Sequence, residues 1–458
     1  MYFKQLQTPG LGCFSYALGC PAAGIMAVVD PRRDIDDYLE IAAAEGMRIT
    51  HIFETHVHAD HVSGAQELRA ATGAEIYVHE SAAVAYEHTP LHNGDRFQLG
   101  AAVLEVLHTP GHTPNSVSFV VTDVLRSKLA ELVLTGDLLF VGDVGRPDLP
   151  GNELLDEQVE NLYHSLTVVL GALPDSLEVY PAHGQGSLCG RGMSAKGNST
   201  LGYERHANPM LRHKTLADFR QAVLSALPVR PQSFSQIIAT NLHGAPLLES
   251  CPGEHALRPD QFAEHLAQGA VVIDTRDASA FGGAHIPGSL NIGFEKQMAN
   301  WVGMAVRPGS HLLLVVEGRE KYVAMRTELF RIGYDSVLGW LEGGIGSWIR
   351  SGRPLTSLGQ ISVQDLKERL GQGTLLDVRT PAEWESGHIA GATHTPFSEI
   401  LQNGPNLCLV GPVAVICGSG YRSNIVGSLL QAGGCAEVVS VAGGMLAWRR
   451  AGYPVAPD

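Results

Sequence analysis

The chain has 458 residues, with 32 Lys+Arg against 47 Asp+Glu and a net charge of −15. Hydrophobic residues at 45% and charged residues at 17% are a globular balance and exclude a collagen-like or disordered chain. The acidic field repels phosphate, so neither nucleic acid nor an anionic membrane is expected as a partner.

At ~150 residues per domain the length predicts about three domains. Residues 11–29 carry no charge but are broken by Gly12, Gly19, Pro21 and Gly24. They read as two buried strands joined by a turn, not as a membrane span. RITHIFET (48–55) reads as a strand and VSGAQELRAATG (62–73) as a helix. AEIYVHE, AAVLEVLHTPG, SVSFVVTD, ELVLTGDLLFV and LEVYPAHG read as strands ending in turn residues, and 153–173 and 210–226 as helical. The first domain is therefore α/β, with polar residues just past its strand ends.

The second half contains a repeat. Asp274, Arg276, Phe281, His285 and Gly288 align with Asp377, Arg379, Trp384, His388 and Gly391; Gly343-Gly344 and Trp348 align with Gly443-Gly444 and Trp448. Two tandem units of ~100 residues are expected. The predicted boundaries are 1–245, 256–352 and 359–458. Cysteines stand at 13, 20, 189, 251, 408, 417 and 435. An odd, sparse set implies no disulfide framework and a reducing, cytoplasmic setting.

Of 20 histidines, 14 precede residue 251. Residues 55–61 read Thr-His-Val-His-Ala-Asp-His directly after a strand. Alternating residues of extended chain project the same way, so His56 and His58 can converge on one point. Asp60 and His61 come from the turn; His112, Asp137 and His183 stand at later strand ends beside Gly or Pro. Clustered His and Asp of this kind predict a metal site. His51, His79, His88, His92, His164, His206 and His213 are not expected to be ligands.

These motifs resemble the metallo-β-lactamase fold, whose hallmark is THxHxDH followed by His, Asp and His. Within it the likeness is to persulfide dioxygenases and to glyoxalase II. The resemblance implies an αββα sandwich. In the dioxygenase case it implies one Fe(II) per chain on His56, His112 and Asp137, with His58, Asp60, His61 and His183 orienting the ligands. In a binuclear hydrolase the same four residues would complete a site for two Zn. TGDLLFVGDVGRPDLPG (135–151) is similar to the dioxygenases. Arg146 is either a substrate anchor or a structural cation paired with Asp148. Cys189 in GQGSLCGRG is either a sulfur relay near the metal or an inert buried thiol.

Cys417 opens Cys-Gly-Ser-Gly-Tyr-Arg between an apolar strand and a helix. Backbone N–H groups and the helix dipole there favour a thiolate and a bound anion. Gly418, Ser419, Gly420 and Tyr421 would contact substrate, and Arg422 adds a fixed cation. The loop resembles the six-residue active loop of rhodaneses. The middle copy places Glu317 where Cys417 stands, so a rhodanese-like unit without a nucleophile is expected.

The fold class expected is thus a metallo-β-lactamase sandwich followed by two tandem α/β rhodanese-like domains. The expected activity is a persulfide dioxygenase coupled to a sulfurtransferase in sulfide detoxification. Its partners would be a low-molecular-weight thiol persulfide, O2 and sulfite or thiosulfate, in a homo-oligomer. The alternatives are a binuclear Zn thiolester hydrolase fused to a sulfurtransferase, and a non-enzymatic sulfur-relay scaffold.

Overall fold

The computed structural model describes residues 1–225, 227, 230–295, 297–403 and 411–456. Cys408 and the last two residues of the third predicted domain lie outside them. The chain divides into two compact units, 1–250 with 330–333, and 251–329 with 334–458. Among the described residues no helix is long and apolar enough to cross a membrane.

The first unit is built on two six-stranded sheets. One runs in sequence order from β1 (Tyr2–Thr8) through β2 (Cys13–Cys20), β3 (Ile25–Val29), β4 (Arg48–Phe53) and β5 (Glu75–His79) to β6 (Thr89–Leu91). It is antiparallel up to β3 and parallel from there on. The other comprises β7 (Arg96–Leu99), β8 (Ala102–His108), β9 (Val117–Asp123), β10 (Leu132–Gly136), β13 (Glu178–Pro181) and β14 (Ser199–Thr200); a small hairpin, β11 (Leu139–Phe140) and β12 (Asp143–Val144), lies between β10 and β13 in sequence. The two-residue period of a strand sorts the side chains. Phe14, Tyr16, Val29 and Phe53 face Leu104, Phe119 and Leu134 in the central core. The alternate residues Val28, Ile52 and Ile76 face Tyr38 and Leu68 of helices Asp36–Ala44 and Ala65–Thr72. Val120, Val133 and Val179 face Leu162 and Phe219 of helices Leu155–His164 and Leu216–Leu224. Each such large apolar side chain contributes roughly 1.5–3 kcal/mol when fully buried. Two sheets with helices outside both give four layers, and the loops past the strand ends are left to chemistry.

The second unit holds two five-stranded, all-parallel sheets. The first has the order β15 (Ala256–Leu257), β19 (Val337–Leu341), β18 (Leu312–Val315), β16 (Val271–Asp274), β17 (Leu290–Asn291). The second repeats it as β20 (Gly359–Ile361), β24 (Val438–Val441), β23 (Val413–Ile416), β21 (Thr374–Asp377), β22 (Thr393–His394). The repeated residues have repeated roles. Arg276 forks onto Asp274 as Arg379 does onto Asp377. Phe281 stacks on His285 as Trp384 does on His388, each pair at 3.7 Å. The two sheets share a unit because side chains knit them: Asn424 donates to Asn291, Ser428 Oγ accepts from the Asn291 N–H at 3.1 Å, and Tyr421 donates to the Gly293 carbonyl at 2.9 Å.

Candidate metal and sulfur-transfer sites

The chain leaves β4 in a series of bends, not as a continuing strand, over residues 54–61. The His56 and His58 rings do lie side by side, with centroids 4.2 Å apart, but their Nε2 atoms meet different partners. His56 Nε2 faces Asp137, and His58 Nε2 faces Asp30 and Glu54. His58 Nε2 lies 3.1 Å from Asp30 Oδ1 and 3.2 Å from Glu54 Oε2, all three residues being buried. Burial opposes a charged ring there, but the two carboxylates prevail and raise the His58 pKa to about 10.

His56, His112 and Asp137 form a separate buried group. His112 Nε2 is 3.2 Å and His56 Nε2 3.8 Å from Asp137 Oδ2. These three atoms are fully buried and have no hydrogen-bond partner, a costly arrangement unless something binds them. Their far sides are all engaged. His56 Nδ1 stands 2.9 Å from Thr55 Oγ1, which itself donates to Asp30 Oδ2 at 2.8 Å. His112 Nδ1 is 3.0 Å from the Arg146 carbonyl. Asp137 Oδ1 is 2.5 Å from His183 Nδ1. Burial lowers the pKa values of His56 and His112. Burial alone would raise that of Asp137, but the histidines around it lower it. Two neutral imidazoles with outward lone pairs and one carboxylate are therefore the resting state, which is the state a cation needs.

His183 is spanned by carboxylates, with Asp60 Oδ2 2.7 Å from its Nε2. Burial opposes its charge, but Asp137 and Asp60 raise its pKa well above the ordinary value. Asp60 is in turn 3.2 Å from His61 Nδ1 and from Cys13 Sγ, so Cys13, Asp60, His61 and His183 form a second buried group. Cys189 is buried with its sulfur near Asp137 and His183, and burial pushes its thiol well up, away from thiolate. The Arg146 side chain is committed to Asp148 (2.7 and 2.8 Å) and the Leu188 carbonyl (3.1 Å), an arrangement of the structural-cation kind. Its carbonyl orients His112, a contribution invisible in a side-chain motif. Cys13, Asp30 and Glu54 were not singled out from the sequence; their only signal is their position at the ends of strands flanking the motif.

Two close approaches fix this geometry. Gly111 (φ +142°) presses on helix Leu155–His164, where a Cβ would sit 2.3 Å from Leu162 Cα. A Cβ on Gly145 would lie 1.8 Å from the Asp137 carbonyl oxygen and 3.1 Å from His112 Nδ1.

In the second unit Cys417 follows β23, at the end of a parallel strand where ligands commonly bind. Its sulfur is buried and accepts the Gly420 N–H at 3.2 Å, with Ser423 Oγ at 3.6 Å. Gly418 and Ser419 lead to Gly420, which caps helix Tyr421–Ala432. Arg422 is held by Glu383 through two bonds of 2.7 and 2.6 Å. In the middle sheet the register puts Val316, not the expected Glu317, at the position of Cys417; Glu317 is the next residue, exposed and paired with Lys321.

A sequence model described as "Metallo-beta-lactamase superfamily" matches residues 11–183, and one described as "Rhodanese-like domain" matches 258–351 and 362–451. The chain is 30% identical over 213 residues to a Bos taurus protein named "Persulfide dioxygenase ETHE1, mitochondrial", covering 45% of this chain and 75% of that one.

The chain belongs to the metallo-beta-lactamase superfamily, with two rhodanese-like domains following that domain.

The same metallo-beta-lactamase region is 34% identical over 174 residues to a "Hydroxyacylglutathione hydrolase" of a Polaromonas species, covering 37% of this chain and 61% of the relative. A solved metallo-beta-lactamase from Staphylococcus aureus superposes with a TM-score of 0.68 at 31% identity, covering 74% of this chain and 99% of that one. The chain spans 59–75% of the length of the curated relatives it matches at this level.

Proposed function

We propose that the metallo-beta-lactamase domain is an iron(II) persulfide dioxygenase and that the last domain is a sulfurtransferase working on the same sulfur pool. The observation that carries the first half is the set of three orphaned buried atoms, His56 Nε2, His112 Nε2 and Asp137 Oδ2. Two imidazoles and one carboxylate suit iron(II), which when bound would supply dioxygen chemistry at a persulfide's outer sulfur, RSSH + O2 + H2O → RSH + sulfite + 2H⁺. Thr55 and the Arg146 carbonyl hold the imidazole tautomers with Nε2 free, and His183 holds Asp137 to a single donor oxygen. His58 Nε2 is held by Asp30 and Glu54 while its Nδ1 is buried without a hydrogen-bond partner; with His58 kept as an orienting residue, open positions would remain for substrate.

In the last domain the Cys417 sulfur would accept sulfane sulfur, its charge eased by the Gly420 N–H and the helix start. Passing that sulfur on to sulfite would yield thiosulfate, so the two halves together would clear sulfide-derived persulfide. The unbridged thiols at Cys13, Cys20, Cys189 and Cys417 support a reducing compartment such as the cytoplasm.

A second reading, a binuclear zinc thiolester hydrolase, is favoured by the buried group Cys13, Asp60, His61 and His183. It requires His183 Nε2 to be released from Asp60, while Nδ1 can stay on Asp137. Metal analysis with O2 uptake separates the two. One iron per chain, with O2 consumed on adding glutathione, coenzyme A or cysteine persulfide, is expected. Two zinc ions per chain with thiolester hydrolysis and no O2 uptake would overturn the proposal.

A further inference from the structure

We infer that Glu383 is a specificity-determining residue of the Cys417 site: by cancelling the charge of Arg422 it biases the loop against compact dianionic donors, such as thiosulfate, and toward thiol persulfides. This rests on the sulfurtransferase reading of Cys417 and names its substrate class.

The first observation is geometric. An arginine ending a cysteine loop at a helix start would by itself make a strong anion site. Here both of its terminal nitrogens are spent on one carboxylate, in a fork-to-fork pair. The pair stands over the loop. A Cβ built on Gly418, the residue after Cys417, would lie 3.2 Å from Arg422 Nη2 and 3.5 Å from Glu383 Oε1. An incoming dianion would meet a neutral pair with a carboxylate oxygen beside the guanidinium.

The second observation comes from the repeat. Glu383 lies in the first turn of the short helix Pro381–Glu385, whose N-cap, Thr380, donates its N–H to the Glu383 carboxylate, and its carbonyl accepts from Arg379 Nη1. In the middle domain Arg276 Nη1 makes the same bond to the Ala280 carbonyl, so Ala280 is the structural counterpart of Glu383. By sheet register Val315 ends β18 where Ile416 ends β23, so Val316 is the counterpart of Cys417 and Lys321 that of Arg422. The copy without a nucleophile keeps a cation at Lys321 but not this pair: Ala280 offers no carboxylate, and Lys321 is bound by Glu317 of its own helix start. The short helix survives without the pair, so the fold does not need it; it accompanies the cysteine.

A third observation concerns what a persulfide brings. Tyr421 of the loop lies 6.0 Å from Trp301, which packs edge-on against Phe397 at 5.2 Å. This aromatic group, partly supplied by the middle domain, borders the loop on the side of Tyr421 and offers contact to the organic body of a donor. Thiosulfate has no such body. The transfer is balanced without any further reactant: the Cys417 thiolate attacks the outer sulfur of RSSH, the donor S–S bond breaks, a new S–S bond forms on Cys417, and RS⁻ leaves with the electron pair.

The test is Glu383→Gln in the full-length protein. The ratio of kcat/KM for thiosulfate to that for glutathione persulfide should rise about tenfold, the scale of one charge a few ångström away in a partly solvated site. A folding defect would lower both values, whereas this is a gain for one donor. A ratio that stays the same or falls overturns the inference. A second measurement needs no turnover: protection of Cys417 from iodoacetamide by sulfate. Half-protection should need about tenfold less sulfate in the variant, and equal protection in both proteins overturns the inference. If neither donor loads Cys417 in the wild type, the sulfurtransferase reading fails, and the sulfate measurement still decides the role of Glu383.

Discussion

His183 Nδ1 stands 2.5 Å from Asp137 Oδ1, while Asp137 Oδ2 faces His56 and His112 without a hydrogen bond. One carboxylate therefore does two jobs. Its first oxygen is a fixed acceptor, and its second is a donor atom aimed at the metal position. Partners of this kind set ligand orientation and typically govern 10–100-fold in metal affinity. His183→Asn should weaken iron binding by about that much, read by competition with a chelator. If the iron affinity is unchanged, His183 does not position Asp137.

His56 and His58 are two residues apart and belong to different systems, so their neighbours predict opposite variant phenotypes. His112→Ala removes one of the three orphaned donors. It should abolish iron retention with little loss of stability, because no bonded partner is left stranded except the Arg146 carbonyl. His58→Ala strands two buried carboxylates, Asp30 and Glu54. It should cost about 3–5 kcal/mol in unfolding free energy, and the triad should retain iron wherever the protein is folded. Metal content and denaturant midpoints on both variants check this; full iron loss in folded His58→Ala would place His58 among the ligands.

The contrast marks what was legible in the sequence. The strands, the repeat and the residue types of the metal cluster follow from apolar periodicity and from THVHADH itself. The partition of that cluster does not. Whether His58 faces the metal or Asp30 depends on the chain bending after Phe53 and on two acids from β3 and β4, long-range facts that a motif does not encode. Likewise Arg146 reads as a charge in the sequence, yet what it gives His112 is a backbone oxygen. Glu383 lies 34 residues before Cys417 and meets its loop only through the parallel sheet.

Gly145 has no side chain because the site has no room for one. With a Cβ 1.8 Å from the Asp137 carbonyl and 3.1 Å from His112 Nδ1, Gly145→Ala must displace two of the three metal residues. A loss of at least about tenfold in iron affinity is expected, since ligand geometry tolerates little displacement. Secondary structure by circular dichroism should change little. Full iron affinity in this variant would mean that the loop carrying Gly145 relaxes away from the metal residues.

Cys417 and the metal triad lie in different compact units with separate cores. Cys417→Ser should therefore abolish sulfur loading of the last domain while leaving persulfide-dependent O2 uptake within about twofold, as expected for independent sites. Mass spectrometry after exposure to persulfide should find no adduct on that domain. A collapse of O2 uptake in the serine variant would mean that sulfur must pass through Cys417 before oxidation.

The Glu383 carboxylate gives a pH signature. Burial alone would raise its pKa, but hydrogen bonds from Arg422 and Thr380 prevail and lower it from the ordinary 4.5 to about 2. A carboxylate with a depressed folded-state pKa stabilises the fold above its unfolded value and loses that contribution as pH falls through the folded one. The stability difference between wild type and Glu383→Gln should thus be flat above about pH 5 and shrink from there toward pH 2. Denaturant titrations at a series of pH values measure it, and parallel curves down to pH 2 would show that the pair does not form in solution. The same depression keeps the carboxylate ionised at every pH where Cys417 could act, so Arg422 never offers its full charge to a donor.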